Sequence, residues 1–268
     1  MRASARISNV LRADRVVRAW RGLLVAACIL LPAAYAAETP LDILIYGASG
    51  EVGERLLNEA LRRNHHVTAV SRDTSRIAAP RPHLEVVEGD VLDPDSVREL
   101  VAGRDLVLLS VRGAAGGSRD PGQTVHLLGI RALVTALRAE PAGKTRLLIV
   151  GGAGSLEVRP GVTYAESIPR LFYLFVPRGL RQEIEGHRLA LEFLATVDDV
   201  HWTYVSAPKK LKPGPRTGNY ILGGEAMPYD SAGRSAISMK DFAVAMLDVA
   251  ENGGYAGSHL SVVGDSER

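Results

Sequence analysis

The sequence predicts an α/β protein built on a doubly wound parallel sheet in a single domain, and three observations predict it. From residue 41 onward, short apolar runs rich in Val, Leu and Ile alternate with segments of helical periodicity, the order expected of parallel strands joined by crossover helices. A glycine turn, Gly47-Ala-Ser-Gly50-Glu-Val-Gly53, lies between the first apolar run and the first amphipathic segment. Hydrophobic residues make up 46% of the chain and aromatics only 5%, with 27 glycines, a balance that suits a packed α/β interior and argues against fibrous or disordered classes.

Residues 41–46 form the first expected strand. The turn follows, then a helix over 51–64 with Val52, Leu56, Leu57 and Leu61 on its inner face. Residues 67–71 and 84–88 are the second and third strands. Asp93 caps the next helix, with Pro94 at its first position and Gly103 beyond its end. The fourth strand covers 106–111, an apolar-faced helix 121–139, and the fifth strand 147–150. Residues 151–177 read as irregular, and the run Leu171-Phe-Tyr-Leu-Phe-Val176 within them suits either a cover for a flat ring or packing over the sheet edge. A helix over 180–195 turns Leu180, Ile184, Leu191 and Leu194 inward, and 202–206 is the sixth strand. Residues 209–235, rich in Gly and Pro, read as a small hairpin. Ser238 caps the last helix with Asp241 as its reciprocal partner, and 260–263 closes the sheet.

The first 36 residues stand apart. Six arginines precede an apolar run over 23–37 that ends in Ala34-Tyr35-Ala36, the pattern of a secretory leader too short for a comfortable span. Two domains of use follow: a leader over 1–36 and a globular domain over 37–268. Export to the periplasm is expected if the leader is cleaved; otherwise the protein is cytoplasmic or membrane-anchored, and no stable span is expected after processing. Removing residues 1–36 leaves 26 basic against 29 acidic residues, a net charge of −3, which argues against nucleic-acid binding. The single cysteine, Cys28, lies in the leader, so the mature chain has no disulfide, no thiolate nucleophile and no Cys-ligated zinc. No metal site is expected, and nothing in the sequence sets an oligomeric state.

The glycine turn carries the chemistry. Backbone N–H groups of Gly47, Ser49, Gly50, Glu51, Val52 and Gly53, with the helix amino end, can converge on a pyrophosphate. Gly47 allows the tight turn, Gly50 the approach of phosphate, and Gly53 the approach of helix to strand. This makes a Rossmann-type fold holding NADP or NAD the expectation. At the end of the second strand, Ser71 and Arg72 supply a hydroxyl and a bidentate cation for a 2′-phosphate, which favours NADP. NAD stays open, because Asp73 would accept from a ribose hydroxyl if Arg72 were solvated. Asp90 and Val91 end the third strand where adenine would lie, with turn capping as the alternative role for Asp90. Ser110, Val111 and Arg112 end the fourth strand, and Gly151, Gly152 and Ala153 the fifth, at the edge where open parallel sheets bind ligands.

These motifs resemble the atypical short-chain dehydrogenase/reductase-like NAD(P)H-binding proteins of NmrA type, especially the NADH-flavin reductase group. The resemblance covers about residues 41–263. It rests on the glycine turn, Gly89-Asp90-Val91-x-Asp93, Val150-Gly-Gly-Ala-Gly-Ser-Leu-Glu157, Trp202-Thr-Tyr-Val-Ser206 and Arg216-Thr-Gly218-x-Tyr220. It implies a bound nicotinamide nucleotide and a reductase activity.

One familiar element is missing. Short-chain dehydrogenases pair a Tyr with a Lys four residues later, the cation lowering the phenol pKa for proton transfer. Here Tyr46, Tyr164, Tyr173, Tyr204, Tyr220, Tyr229 and Tyr255 are followed at that distance by Gly50, Ile168, Pro177, Pro208, Gly224, Gly233 and His259. Hydride transfer to a flavin-like or quinone-like acceptor escapes that requirement, because the ring delocalises the charge and solvent supplies the proton. The expected partner is therefore a small-molecule electron acceptor, with flavin as a possible substrate. Catalytic residues are unassigned beyond two weak candidates, Ser155 and His187. The alternatives are a non-catalytic dinucleotide-binding or redox-sensing protein and, more weakly, an epimerase or isomerase. Export stands in tension with all of them, since free NADPH is scarce outside the cytoplasm.

Overall fold

The computed structural model describes residues 39–265 apart from 142, 143 and 174, so the leader expected over 1–36 lies outside the described residues. Strand β1 (Asp42–Tyr46) turns Ile43 and Ile45 to one face and Leu44 and Tyr46 to the other, all buried. A strand apolar on both faces must be covered on both, which is the condition of a central parallel strand. It pairs in parallel with β2 (His66–Ser71) on one side and β4 (Leu106–Leu109) on the other. With β3 (Leu84–Glu88), β5 (Arg146–Gly151), β8 (Trp202–Ser206), β10 (Tyr220–Gly223) and β12 (Ser258–Gly264), the order is β10-β12-β8-β5-β4-β1-β2-β3. Only β10, at the edge, runs antiparallel to its neighbour. The order changes direction between β1 and β4, and that switch opens a crevice at the carboxyl ends of the strands.

Helices α1 (Glu51–Arg62) and α5 (Met239–Asn252) cover one face, joining Leu56, Leu57 and Phe242 to Ile43, Ile45 and Val262. Helices α2 (Pro94–Val101), α3 (Val125–Leu137) and α4 (Arg178–Leu194) cover the other. Each fully buried side chain of this kind contributes about 1.5–3 kcal/mol. Asp93 caps α2 as expected, accepting from Asp95 N at 3.1 Å.

Polar links lock α1 to α5. Glu59 is 4% exposed and receives the Arg216 guanidinium at 2.8 and 2.9 Å, together with Arg62 and Arg63. Arg63 continues to Asp248 at 2.7 Å and to Glu251, which His65 meets at 2.9 Å. Tyr220 donates its hydroxyl to Asp248 at 2.5 Å. The Arg216-Thr-Gly218-x-Tyr220 motif is thus a strap across two helices, with Thr217 and Gly218 both donating to Asp241.

Several expectations are corrected. Asp241 reciprocates through its side chain and not through the cap's backbone: Ser238 Oγ accepts from Asp241 N at 2.9 Å and lies 3.1 Å from Asp241 Oδ2, while Oδ1 is occupied by the Thr217 and Gly218 N–H groups. Residues 209–235 do not form a hairpin, because β9 (Lys210–Lys212) pairs in parallel with β11 (Ala236–Ser238) while β10 completes the open edge of β12. Within 151–177, β6 (Glu157–Arg159) and β7 (Val162–Thr163) form a hairpin around Gly161. Helix α3 begins at Val125, because Thr124 caps it by accepting from Leu127 N at 3.3 Å. Leu180 is 50% exposed, since the first turn of α4 projects beyond the sheet; burial resumes at Gly186, Ala190 and Leu194.

Candidate functional site

The crevice is a cleft of about 600 Å³ whose walls come from the ends of β1, β2, β4 and β5 and from α4. Gly47 holds φ at 80°, and a Cβ there would stand 2.2 Å from the Ser110 carbonyl oxygen. A Cβ on Gly53 would stand 2.0 Å from the Gly47 carbonyl oxygen, so only glycine lets α1 approach β1 this closely. Gly50 donates to the Gly47 carbonyl at 2.9 Å and closes the turn. No side chain caps α1, whose amino end, with Ser49, Gly50, Glu51 and Val52, stands in the cleft wall. Its first N–H groups lack intrahelical acceptors, and the helix dipole adds positive potential, the physical requirements for holding a diphosphate. Gly53 sits behind the wall and sets its position.

At the far end of β2, Ser71, Arg72 and Asp73 line the cleft together with Arg76, which sequence reasoning missed. Ser71 is buried and donates to the Asp73 carbonyl at 2.9 Å while pairing with Ser49 at 2.9 Å, so its hydrogen is engaged within the protein. Asp73 is turned onto Ser75, accepting from its N–H at 3.2 Å and its hydroxyl at 2.6 Å. The cations at this end are thus the exposed Arg72 and Arg76, four residues apart.

Gly89, Asp90 and Val91 line the next section. Asp90 caps a turn, one carboxylate oxygen accepting from Leu92 N at 3.0 Å, and the residue stands in the cleft wall. Beside it the Tyr46 hydroxyl is buried without a hydrogen-bond partner among the described residues. Burial, then Asp90 and Asp93, pushes its pKa up, so the phenol stays protonated. Ser110, Val111 and Arg112 continue the wall as expected.

The inner end is formed by Val150, Gly151, Glu183 and His187. Gly151 has no room for a side chain, because a Cβ would stand 2.1 Å from the Tyr204 ring. Gly152 lies beside the His187 imidazole, but neither it nor Ala153 lines the cleft. Ser155, expected next to the reacting ring, is buried outside the wall: it donates to the Gly152 carbonyl at 2.9 Å and pairs with Ser206 at 3.0 Å, which meets His259 at 2.9 Å. Ser155 thus braces the glycine turn. Behind the wall, Tyr204 places its hydroxyl 2.5 Å from His187 Nδ1 and 3.2 Å from His126 Nε2. Burial lowers the His187 pKa to about 4, and burial with the neighbouring His187 holds that of His126 well below the ordinary imidazole value. Burial alone raises that of Tyr204. The group is therefore neutral near pH 7. His126 and Tyr204 were invisible to sequence reasoning because each sits at an ordinary inward position, one on a helix and one on a strand.

Lys209 does donate to Tyr229 at 2.8 Å, but the phenol is 48% exposed and neither residue is in the cleft wall. Leu171, Phe172 and Phe175 are exposed, and none of the three lines the cleft. Among the described residues, no group of His, Cys, Asp and Glu side chains is placed to hold a metal, and no helix is long and apolar enough to cross a membrane.

The chain is similar to known proteins over most of its length. It is 34% identical over 229 residues to the Bacillus subtilis protein YwnB, covering 85% of this chain and all of that one. Among solved structures it is similar to a candidate epimerase from Bacteroides thetaiotaomicron (32% identity, TM-score 0.72, 86% of this chain and 100% of the other). It is also similar to a candidate exported protein from Burkholderia pseudomallei (32%, TM-score 0.68, 83% and 99%). A third is a candidate NADH-flavin reductase from Streptococcus pneumoniae (26%, TM-score 0.67, 84% and 100%). The sequence profile of the NAD(P)H-binding family matches residues 47–253, from the glycine turn to the end of the last helix, and the chain belongs to that family.

Proposed function

We propose that this protein is an NADPH-dependent oxidoreductase that passes hydride to a flattened, conjugated acceptor of flavin or quinone type. The supporting observation is the chemistry of the inner cleft. Tyr46 in the cleft wall and Tyr204 behind its inner end both have their pKa raised, by burial first, and no lysine lines the cleft, so the acid–base pair used on alcohols and ketones has no counterpart among the described residues there. A ring that delocalises the incoming charge needs only proximity and orientation from the protein. The amino end of α1 supports the pyrophosphate, and Arg72 and Arg76 support a 2′-phosphate, since the nearby Asp73 is held by Ser75. The S. pneumoniae neighbour is consistent with this chemistry.

The test uses the purified chain beginning at residue 37. Fluorescence titration is expected to give tighter binding of NADPH than of NADH, and absorbance at the dihydronicotinamide band is expected to fall with FMN, FAD or a soluble quinone. Binding with no turnover of any acceptor identifies a dinucleotide sensor instead. Conversion of a sugar nucleotide with no net oxidation would favour an epimerase, as the B. thetaiotaomicron neighbour is named.

We also propose that residues 1–36 direct export; their charge and apolar pattern and the similarity to the B. pseudomallei protein support this. Native protein is expected to begin at Ala37, and native protein that retains Met1 to Ala36 overturns the proposal.

A further inference from the structure

Four large apolar side chains stand exposed within ten positions: Leu171 (67%), Phe172 (65%), Phe175 (79%) and Leu180 (50%). Pro169 and Pro177 bracket the first three, Arg170–Tyr173 forms a single helical turn, and Phe175 N donates to the Phe172 carbonyl at 3.0 Å, which keeps the two aromatics on one bend. With this much of their surface in water, the three side chains project from the protein rather than line a groove. A lone exposed apolar residue needs no explanation, but such a group marks a surface that meets something. Charge indicates what it meets. Residues 167–181 hold three arginines and no Asp or Glu, in a chain whose net charge from residue 37 is −3. Arg178 and Arg181, at the start of α4, share a depression of about 750 Å³ with Arg119 of the loop before α3. Gln182 fixes that loop on α4, donating to the Ser118 and Asp120 carbonyls at 2.9 and 3.0 Å. Glu185, which also lines the depression, is held by Arg188 at 3.0 Å. Positive charge therefore predominates beside the apolar bend.

We propose that this face docks on an anionic lipid bilayer: Leu171, Phe172 and Phe175 enter the boundary between headgroups and acyl chains, and Arg119, Arg178 and Arg181 meet headgroup phosphates. Projecting apolar side chains leave water there without needing a shaped pocket, and each arginine near an anionic surface adds about fivefold in affinity. A second copy of the chain fits less well, because a twofold contact on this patch sets its arginines against their own images. The segment over 1–36 fits less well for the same reason, since six arginines precede its apolar run. The docking rests on the surface alone and does not depend on what the cleft binds.

The test is sedimentation of the chain beginning at residue 37 with vesicles of phosphatidylglycerol and phosphatidylcholine, and with vesicles of phosphatidylcholine alone. Binding to the mixed vesicles is expected to exceed binding to the neutral ones by more than about tenfold and to weaken as salt rises. Phe172→Ser with Phe175→Ser is expected to weaken mixed-vesicle binding by about tenfold or more, and Arg119→Gln with Arg178→Gln by about 25-fold, fivefold for each charge. Ile221→Ser, at an exposed apolar residue on the edge strand β10, is expected to leave binding unchanged. All of these positions are exposed, and circular dichroism melts close to that of the wild type show that the variants are folded. No binding to the mixed vesicles, equal binding to the two vesicle types, or full binding by the aromatic double variant overturns the proposal. So does a dimer in analytical ultracentrifugation that the aromatic double variant abolishes while vesicles leave the chain in solution; that result assigns the face to a second copy.

Discussion

Replacing Gly53 by Ala adds one methyl group at the tightest backbone approach in the cleft. The new Cβ would stand 2.0 Å from the Gly47 carbonyl oxygen and 2.8 Å from its carbon, where ordinary contact begins at 3.4 Å. The backbone on both sides of the contact is fixed by its own hydrogen bonds, Gly50 N to Gly47 O at 2.9 Å and Glu54 N to Gly50 O at 2.8 Å, so no side chain can move aside. The turn and α1 must therefore part by about 1 Å, which costs roughly 1–3 kcal/mol of stability, as in an overpacked core. The same displacement carries the N–H groups of α1 out of reach of a diphosphate. Losing two charge-assisted bonds at about 1.5–3 kcal/mol each weakens dinucleotide binding by roughly 10²–10⁴-fold. Calorimetric titration with NADPH, paired with chemical denaturation, measures both effects. Binding within threefold of the wild type in a folded variant would refute the assignment of the turn as the diphosphate cradle.

Arg72→Ala and Arg76→Ala are each expected to weaken NADPH binding by about 10–100-fold, the loss of a charge-assisted contact, and to leave NADH unchanged; parallel titrations check it, and equal losses for both nucleotides would count against the 2′-phosphate assignment. Glu59→Gln leaves Arg62, Arg63 and Arg216 without their buried counter-ion and is expected to cost about 3–5 kcal/mol in urea unfolding, with a cost below 1 kcal/mol as the contrary result. Burial, the largest single influence on Glu59, pushes its pKa up, but the hydrogen bonds from Arg216, Arg62 and Arg63 together outweigh it and depress the pKa in the fold; its stabilisation is present above the ordinary carboxylate range and disappears as pH falls below it. His187 and His259 are lowered to about 4 by burial, so the unfolded chain binds more protons and stability falls as pH drops from about 6.5 to 4. Unfolding free energies measured across that window are expected to decline, and a flat profile would contradict the burial of these rings.

Much of this architecture follows from local chemistry. The strand–turn–helix at residues 42–62 was legible because apolar alternation, three spaced glycines and an amphipathic repeat are all short-range signals. Asp93 declared the start of α2 for the same reason. The local engagement of Ser71 and Asp73 was not legible, because their partners, the Asp73 carbonyl and the Ser75 N–H and hydroxyl, lie two residues away in a turn that residue type does not reveal. Leu180 looked buried from its place in the apolar repeat, yet where a helix first meets a sheet depends on the loop that delivers it. The contacts among His126, His187 and Tyr204 span 17 and 78 positions, and composition carries no trace of such an encounter.

The strap between the first and last helices has a bearing on how the chain is made. Arg63 meets Asp248 and Glu251 across 185 and 188 positions, and Arg216 meets Glu59 across 157, so the first helix lacks its partners until nearly the whole polypeptide has left the ribosome. Nascent chains of this layout stay open through most of synthesis, because early segments cannot bury their apolar stripe alone. Were residues 1–36 to direct export, as proposed above, machinery that accepts only unfolded substrates would have that interval in which to engage them.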